Sequence, residues 1–546
     1  MFYKWEYLYY HFFYLRPKTE IDFIQKRYLV YGDDDSANIA SAYSELFPDK
    51  VRAKINEADL ICKHIFDLLG SGSKKLSPEG PGYQPIDWHS DFKNDFHWNP
   101  QTLYSHVRYR NIRGVEVKVP WELSRFQHLN ILGQAYTLTK HRKYAEEFSN
   151  QIADWIKNNP IGLGVNWRCT MDVAIRAVNW LVTMEYFHNE DTFSQDFLKE
   201  FYLSIYEHGK FIRNHLEYSP KLTGNHYLAD IAGLFFIAVY CPFFRESKKW
   251  QEFTLNELSQ EIEKQVYPDG CNFEASVSYH RFVLEMLFYS ELLGKRAGIE
   301  FPENYKNKIR KMFEFSLYCV KPNGMAPQIG DNDNGRFLIF CKKPVLEHKY
   351  LLTLAAMHYK DSQFKLSEFD FDEEAFWVFG PSGKKSWDDL PYREKPLNSK
   401  AFPDAGWYIM RDENNYCFIS CGPNGQHGNG GHAHNDKLSF ELTLNGQDVI
   451  VDPGTYVYLP YPEKRNRFRS TAYHNTIAFD NREQSKISDN LFSLPDRVKI
   501  IKAELTGTND KIIFQGEIQY ADITHKRTIT RDKKPGTWQI TDTFSY

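Results

Sequence analysis

Hydrophobic positions in the first two-thirds of the chain recur at three- and four-residue intervals, the repeat of a helix with one buried face. NEADLICKHIFDLLG, WELSRFQHLNILGQAYTLTK, KYAEEFSNQIADWIKNNP, TMDVAIRAVNWLVTMEYFH and QDFLKEFYLSIYEHGKFIRNHLEY read as successive helices bounded by Pro, Gly or Asn. NHYLADIAGLFFIAVYCPFF, FTLNELSQEIEKQVYPDG, SYHRFVLEMLFYSELLGKRAG and ENYKNKIRKMFEFSLYCVKPNG continue the series. Helices joined by short turns predict a toroid or solenoid rather than βαβ units, and no fixed-period repeat is visible. From about Pro403 the pattern changes to short β-rich runs separated by Gly, Asn and Asp turns. These runs are WYIMRD, YCFISCG, LSFELTLNGQDVIVD, HNTIAFD, RVKIIKAELTG, KIIFQGEIQY, HKRTITRD and WQITDTFSY, the pattern of an antiparallel sandwich. Residues 382–400, polar and proline-bearing, are the expected linker. The fold class is therefore multidomain, α then β. A helical domain is expected over 1–385, its first fifty residues an extension of undetermined structure, and a β-sandwich over 386–546. The chain stops on what reads as a strand, so further strands are expected beyond it.

Length agrees with two domains, since 546 residues exceed what one hydrophobic core usually holds. Hydrophobic content of 42% and charged content of 25% read as soluble and globular. A net charge of −4 offers no cationic field for nucleic acid, so an anionic partner must be met by a local basic cleft. Aromatic residues are abundant at 16%, and packing between many helices accounts for most of them. The eight cysteines show no pairing signature; Cys417 and Cys421 lack a second matching pair, and free buried thiols are expected. The opening MFYKWEYLYYHFFYLRPKTE has an aromatic run but neither an aliphatic core nor a small-residue cleavage site. It is too short to span a bilayer. A cytoplasmic location is expected, or a periplasmic one if a leader has been removed.

The densest chemistry lies in GQHGNGGHAHNDKLSFELTLNGQDVIVDPGT, residues 425–455. His432 and His434 share one side of an extended run. Asp452 follows His434 by eighteen positions and His474 follows Asp452 by twenty-two. Two imidazoles and a carboxylate from neighbouring strands suit a borderline metal such as zinc; loop histidines that merely cluster fit the same spacing. Asn225 and His226 stand at the mouth of a predicted helix, where donors point outward together or where Asn225 simply caps the helix. Tyr279 and His280 lie near the start of another. A phenol works as a base only if positive charge, such as Arg281 or a histidinium, lowers its proton affinity. Glu274 orients a donor or favours the positive end of the helix it precedes. GDNDNGR, residues 330–336, lacks calcium-loop spacing and reads as an interdomain turn.

The succession NPQT, WELSR, NW, GNHY, EASVSYHR, HxHND, DPGTY and HNT, over about 96–475, resembles the heparinase II/III-like polysaccharide lyases. The resemblance implies an incomplete α/α toroid followed by an antiparallel β-sandwich, a bacterial origin, and β-elimination of uronic-acid glycans between the domains. By that resemblance Asn225 neutralises the substrate carboxylate, with His226 as its partner or a base. Tyr279 serves as base and then acid, and His432 reaches across from the sandwich. His434, Asp452 and His474 match the ligands of one divalent metal, expected to be zinc, which shapes the loop carrying His432 instead of activating water. Asn435 and Asp436 are expected to fix the imidazole tautomers or simply to form a turn. Trp121, Glu122, Arg125, Trp167, Arg168, Arg176, Glu274 and His280 form the expected groove for an anionic polysaccharide, heparan-like or capsular. Arginine grips carboxylate or sulfate bidentately and tryptophan stacks on sugar, although each also serves as ordinary packing. Two other readings stand beside the lyase: a uronosyl C5-epimerase, and a glycan-binding protein without activity. Retention of Asn225, His226, Tyr279 and His432 together argues against the second.

Overall fold

Four helices, Leu129–Thr139, Thr170–Met184, Asn225–Tyr240 and Val277–Ala297, pack in that order and are buried nearly all round. They belong to a computed structural model that describes residues 27–32, 36–187, 192–534 and 536–546. A helix apolar on every face must be covered on every face. The cover is an outer set, Pro48–Ile61, Lys143–Asn158, Gln195–Asn214, Ser247–Gln265 and Glu303–Cys319, each keeping a polar side for solvent. Gly233 sets the spacing between two inner helices: a Cβ there would stand 2.6 Å from that of Ala174. This alternation of inner and outer helices is the incomplete α/α toroid.

Two helices depart from the sequence pattern. The segment 56–70 is helical only at its start, within Pro48–Ile61, and Ile65–Phe66 then pairs with Lys74–Lys75. The single helix expected from Trp121 is two, Lys118–Ser124 and Leu129–Thr139, broken where Phe126 adopts φ 59°. Its ring sinks among Trp88, Trp155 and Trp180. Burying a phenylalanine is worth about 1.5–3 kcal/mol, enough to offset the roughly 1–2 kcal/mol of a left-handed residue.

The C-terminal part is two antiparallel meanders. Lys400–Phe402, Trp407–Arg411, Tyr416–Ser420, Ser439–Leu444 and Gln447–Ile450 form one sheet; Lys499–Gly507, Lys511–Tyr520, Ile523–Asp532 and Trp538–Ser545 form the other. Tyr408, Met410, Cys417 and Ile419 face Phe514, Ile518 and Ile529 of the second sheet. The opposite side chains, Trp407, Ile409, Tyr416 and Phe418, pack on Val277, Phe315 and Cys319 of the helical domain. The first sheet is thus covered on both faces, which is why its central strands are buried throughout. The Asn445–Gly446 pair turns the chain with φ of 52° and 76°, the signature of a tight hairpin. HNTIAFD, expected as a strand, joins neither meander; Asn475 instead bridges the carbonyls of Phe440 and Val451.

The expected linker is partly helical. Glu373–Asp389, kinked at Gly380 and Pro381, runs well into it, and the first sandwich strand begins at Lys400. Of the extension expected over 1–50, residues 1–26 and 33–35 lie outside the described residues. Leu29 and Val30 are buried and donate their backbone N–H groups to Glu185, and Ser36–Leu46 is a helix. All eight cysteines are free and seven are buried. No described helix is long and apolar enough to cross a membrane.

Candidate active site

Asn225 opens its helix but does not cap it; Gly224 holds that position. The backbone N–H and Nδ2 of Asn225 donate to Oε1 and Oε2 of Glu274 at 2.8 and 2.7 Å. A carboxylate is favoured there by the positive end of the helix. The same Oε2 lies 3.6 Å from Nε2 of His432. A toroid residue and a sandwich residue therefore meet at one oxygen. The Tyr279 ring stacks on His432 with centroids 3.6 Å apart and planes 19° apart. It is placed by Ser276, which caps its helix by accepting the Tyr279 N–H at 3.2 Å.

The Tyr279 hydroxyl donates to Oδ2 of Asp333 at 3.0 Å and lies 3.4 Å from the hydroxyl of Tyr458. Lys118 pairs with the same Asp333 oxygen and sits 4.2 Å over the Tyr458 ring. Burial opposes the Asp333 charge, but Lys118 outweighs it and holds the carboxyl well below its usual range. Burial, then Asp333 and Asp331, push the Tyr279 phenol well above its ordinary pKa. The expected activation by Arg281 is absent. That guanidinium donates to Val345 O and Asn334 Oδ1 and has no bond to the phenol. At rest Tyr279 is a proton donor.

Asp331 joins the two halves of the site. It is fully buried; Oδ2 faces Nδ1 of His432 and Oδ1 faces Nε2 of His434, both at 3.0 Å. Arg465, also fully buried, donates to Oδ2. Burial raises the Asp331 pKa, yet Arg465 and the two histidines hold it well below the usual carboxylate range. An ionised Asp331 only accepts, so the proton of each imidazole lies on the facing nitrogen. Nε2 of His432 then turns to the cleft, 3.6 Å from Oε2 of Glu274, and Nδ1 of His434 has no hydrogen-bond partner. The loop needs Gly330: at φ +68° a Cβ would lie 2.5 Å from Ala275 O and 2.9 Å from His432 O.

His434, Asp452 and His474 are buried and offer ligand atoms within 4.8 Å of one another. Nδ1 of His434 and Nε2 of His474 are buried without any hydrogen-bond partner. A buried imidazole nitrogen without a partner is costly unless something fills the gap. Oδ2 of Asp452 lies 2.7 Å from Nδ1 of His474. Two nitrogens and a carboxylate are a chemically fitting set for zinc.

Residues 49–338 match the family model described as heparinase II/III N-terminus, and 394–546 match heparinase II/III-like, C-terminal. The chain belongs to the heparinase II/III-like family. A heparin-sulfate lyase of Pedobacter heparinus is 26% identical over 434 residues, 76% of this chain and 58% of that protein. Another, from Bacteroides stercoris, is 25% identical over 546 residues, 93% of this chain and 72% of that protein. The chain thus spans little more than half the length of the Pedobacter relative. In fold it is similar to the crystal structure of heparinase III, with TM-score 0.66 and 17% identity over 94% of this chain and 78% of that one. It is also similar to the crystal structure of heparan sulfate lyase from P. heparinus, with TM-score 0.55 and 22% identity over 93% and 73%.

Within this heparinase II/III-like frame, Asn225, Glu274, Tyr279 and His432 come together, and His434, Asp452 and His474 form a separate group beside them. His226 points elsewhere: Nδ1 lies 3.1 Å from Glu217. Its ring is 48% exposed, yet protein surrounds it densely enough that desolvation is the largest influence on it. Glu217 outweighs that influence and raises the pKa.

Much of the expected groove is core. Arg176 is fully buried between Trp155 and Trp167, and burial lowers its pKa to about 9. Trp167 is buried and donates to Asn159 O. His280 is buried behind the Glu274 loop, accepting the Asn272 N–H, and burial lowers its pKa to about 3. Trp121 is buried and donates to Val165 O, while Arg125 is committed to Asp172 and Glu122. Arg168, half-buried with its guanidinium 4.9 Å over Tyr109, and Glu122, paired with Arg125, are the partly open members. Asn435 clamps Glu483 and Ser485 and not an imidazole, while Asp436 acts on His474 through its charge. Asp331 holds the imidazole nitrogens of His432 and His434. It sits in the segment read as an interdomain turn, which is a toroid loop carrying Asp331 and Asp333 into the interface. Their Asp-x-Asp spacing in a glycine-bounded loop was the available signal; Lys118, Tyr458 and Arg465 had none.

Proposed function

We propose that this protein is a polysaccharide lyase that cleaves uronic-acid glycans by β-elimination. The observation that carries the reading is the stack of Tyr279 on His432 beside Asn225. Removing the C5 proton of a uronic acid places charge on an already negative carboxylate, so the reaction needs a neutraliser, a base and an acid. Asn225, at a helix N-terminus, has a second Nδ2 hydrogen for the carboxylate, and His226 beside it, held by Glu217 through Nδ1, keeps an exposed ring. His432, its Nδ1–H on ionised Asp331, offers Nε2 as the base. Tyr279, holding its proton at rest, protonates the bridging oxygen. This division replaces a tyrosine acting in both roles, because Asp333 and burial disfavour its phenolate. Base and acid stacked on one side suit syn elimination, in which the C5 proton and leaving oxygen share a ring face, as in a glucuronate.

The names of the heparin-sulfate lyases point to heparan-type chains as the substrate class. His434, Asp452 and His474 would hold one divalent ion, zinc by donor type, whose contribution is to tie the strands that carry the His432 loop. The test is a panel of uronic-acid glycans followed by the ultraviolet absorbance of unsaturated ends. Glucuronate-rich heparan is expected to react; no absorbance with any member would overturn the proposal.

A further inference from the structure

Beside Asn225, three potential ligands converge. Cys169 precedes helix Thr170–Met184, His226 is the second residue of Asn225–Tyr240, and Glu217 lies on the connection between them. Nδ1 of His226 is 3.1 Å from Oε1 of Glu217 and 3.8 Å from Sγ of Cys169, and Sγ is 3.7 Å from Oε2 of Glu217. Zinc bonds of about 2.0–2.3 Å in a tetrahedron place ligand atoms roughly 3.3–3.7 Å apart. One ligand atom from each of the three lies within 4.8 Å of the others, so small side-chain shifts close those edges. Cys169 donates its thiol to Glu217 as a protonated group, and on losing that proton it completes a thiolate, imidazole and carboxylate set that suits a borderline metal.

Two further observations point to a cation. Asp172, itself paired with Arg125, lies close enough to act on both His226 and Cys169. Cys169 is also the one cysteine that joins a ligating group among the described residues. The site is reachable, because the His226 and Glu217 side chains are 48% and 32% exposed. That separates it from the buried His434 group.

We propose that Cys169, Glu217 and His226 form a second divalent-metal site, which takes zinc-like ions reversibly from the cleft and, by immobilising His226, suppresses turnover. Binding forms a metal–sulfur bond as the thiol proton leaves to solvent, and the ion replaces the proton between His226 and Glu217. No electron is transferred. The suppression rests on the lyase reading above; the binding does not.

Cobalt(II) titration of the full chain tests the site directly. Wild type is expected to show a thiolate-to-cobalt charge-transfer band and to bind one more cobalt per chain than Cys169→Ala. Glu217→Gln, with an unchanged circular-dichroism melt, is expected to weaken that band. A wild type without the band, or equal cobalt stoichiometry in Cys169→Ala, overturns the site whether or not the protein cleaves glycan. In the activity arm, zinc is expected to inhibit wild type reversibly. Cys169→Ala is expected to keep basal turnover and to need roughly tenfold or more zinc for inhibition. Equal zinc sensitivity in Cys169→Ala overturns the suppression.

Discussion

The phenol of Tyr279 lies flat on the imidazole of His432, 3.6 Å between centroids, although one residue belongs to the toroid and the other to the sandwich. Neither domain alone holds the pair. The interface that brings them together is apolar under the first sheet, where Phe315 packs on Trp407, and polar at the cleft, where Asp331 bonds to both histidines. Catalytic geometry and domain docking therefore depend on the same contacts.

Tyr279→Phe removes one transferable proton and keeps the stacked ring. Turnover on a heparan-type glycan should fall by roughly 10²–10⁴-fold with little change in KM. Steady-state kinetics check this; a rise in KM at constant kcat would place Tyr279 in binding only.

Asp331→Asn should cost both activity and stability. The amide no longer forces the His432 proton onto Nδ1, and a triad histidine without its carboxylate loses about 10⁴-fold. The buried Arg465 charge is left without its partner, a change worth about 3–5 kcal/mol. Denaturant melts and kinetics below the unfolding transition measure the two effects separately. A variant with normal activity would show that Asp331 does not set the histidine.

Which element ends and loops would meet was legible in the sequence motifs, apart from His226, which turns to Glu217. Asn225, Tyr279 and His432 meet, and so do His434, Asp452 and His474, because each sits at an element end or in a loop facing the boundary. Helix and strand periodicity also gave the order of the two domains. The groove was not legible. Arg176 and Trp167 look like sugar-binding residues in a string of letters, but the helix of Arg176 is buried on every side, Trp167 is buried in the turn before it, and a guanidinium between two tryptophans is core. Asp331 and Asp333 were hidden for the opposite reason. A loop rich in Gly, Asn and Asp has turn composition whatever its carboxylates do, and their partners are more than a hundred residues away for His432, His434, Arg465 and Lys118.

Metal removal should loosen the sandwich. At a hundredfold excess of ion over Kd, binding adds about 2.7 kcal/mol, so chelation should lower the melting temperature by about 5 °C or more. His434→Ala should abolish that response. Elemental analysis of the purified protein with no bound metal, together with identical melts before and after chelation, would remove the ion from the His434 group.

Stability should also carry the mark of Glu207. Burial pushes its carboxyl from 4.5 up to about 7. Between those values the folded chain binds the extra proton, so stability falls as pH rises through the window. Glu207→Gln should therefore match wild type near pH 5 and exceed it above pH 7, by on the order of 1–2 kcal/mol after allowance for partial exposure. Melts at the two pH values check the sign; a variant less stable at high pH would contradict it.

Elimination itself is tested most directly by mass spectrometry of a heparan-type glycan after reaction in deuterated water. Loss of the C5 proton followed by departure of the bridging oxygen gives shorter chains with a 4,5-double bond, with ultraviolet absorbance rising in step. Those products, abolished in Tyr279→Phe, are the predicted result. Full-length polymer carrying deuterium at C5, with no rise in absorbance, would contradict it and assign the same residues to epimerisation.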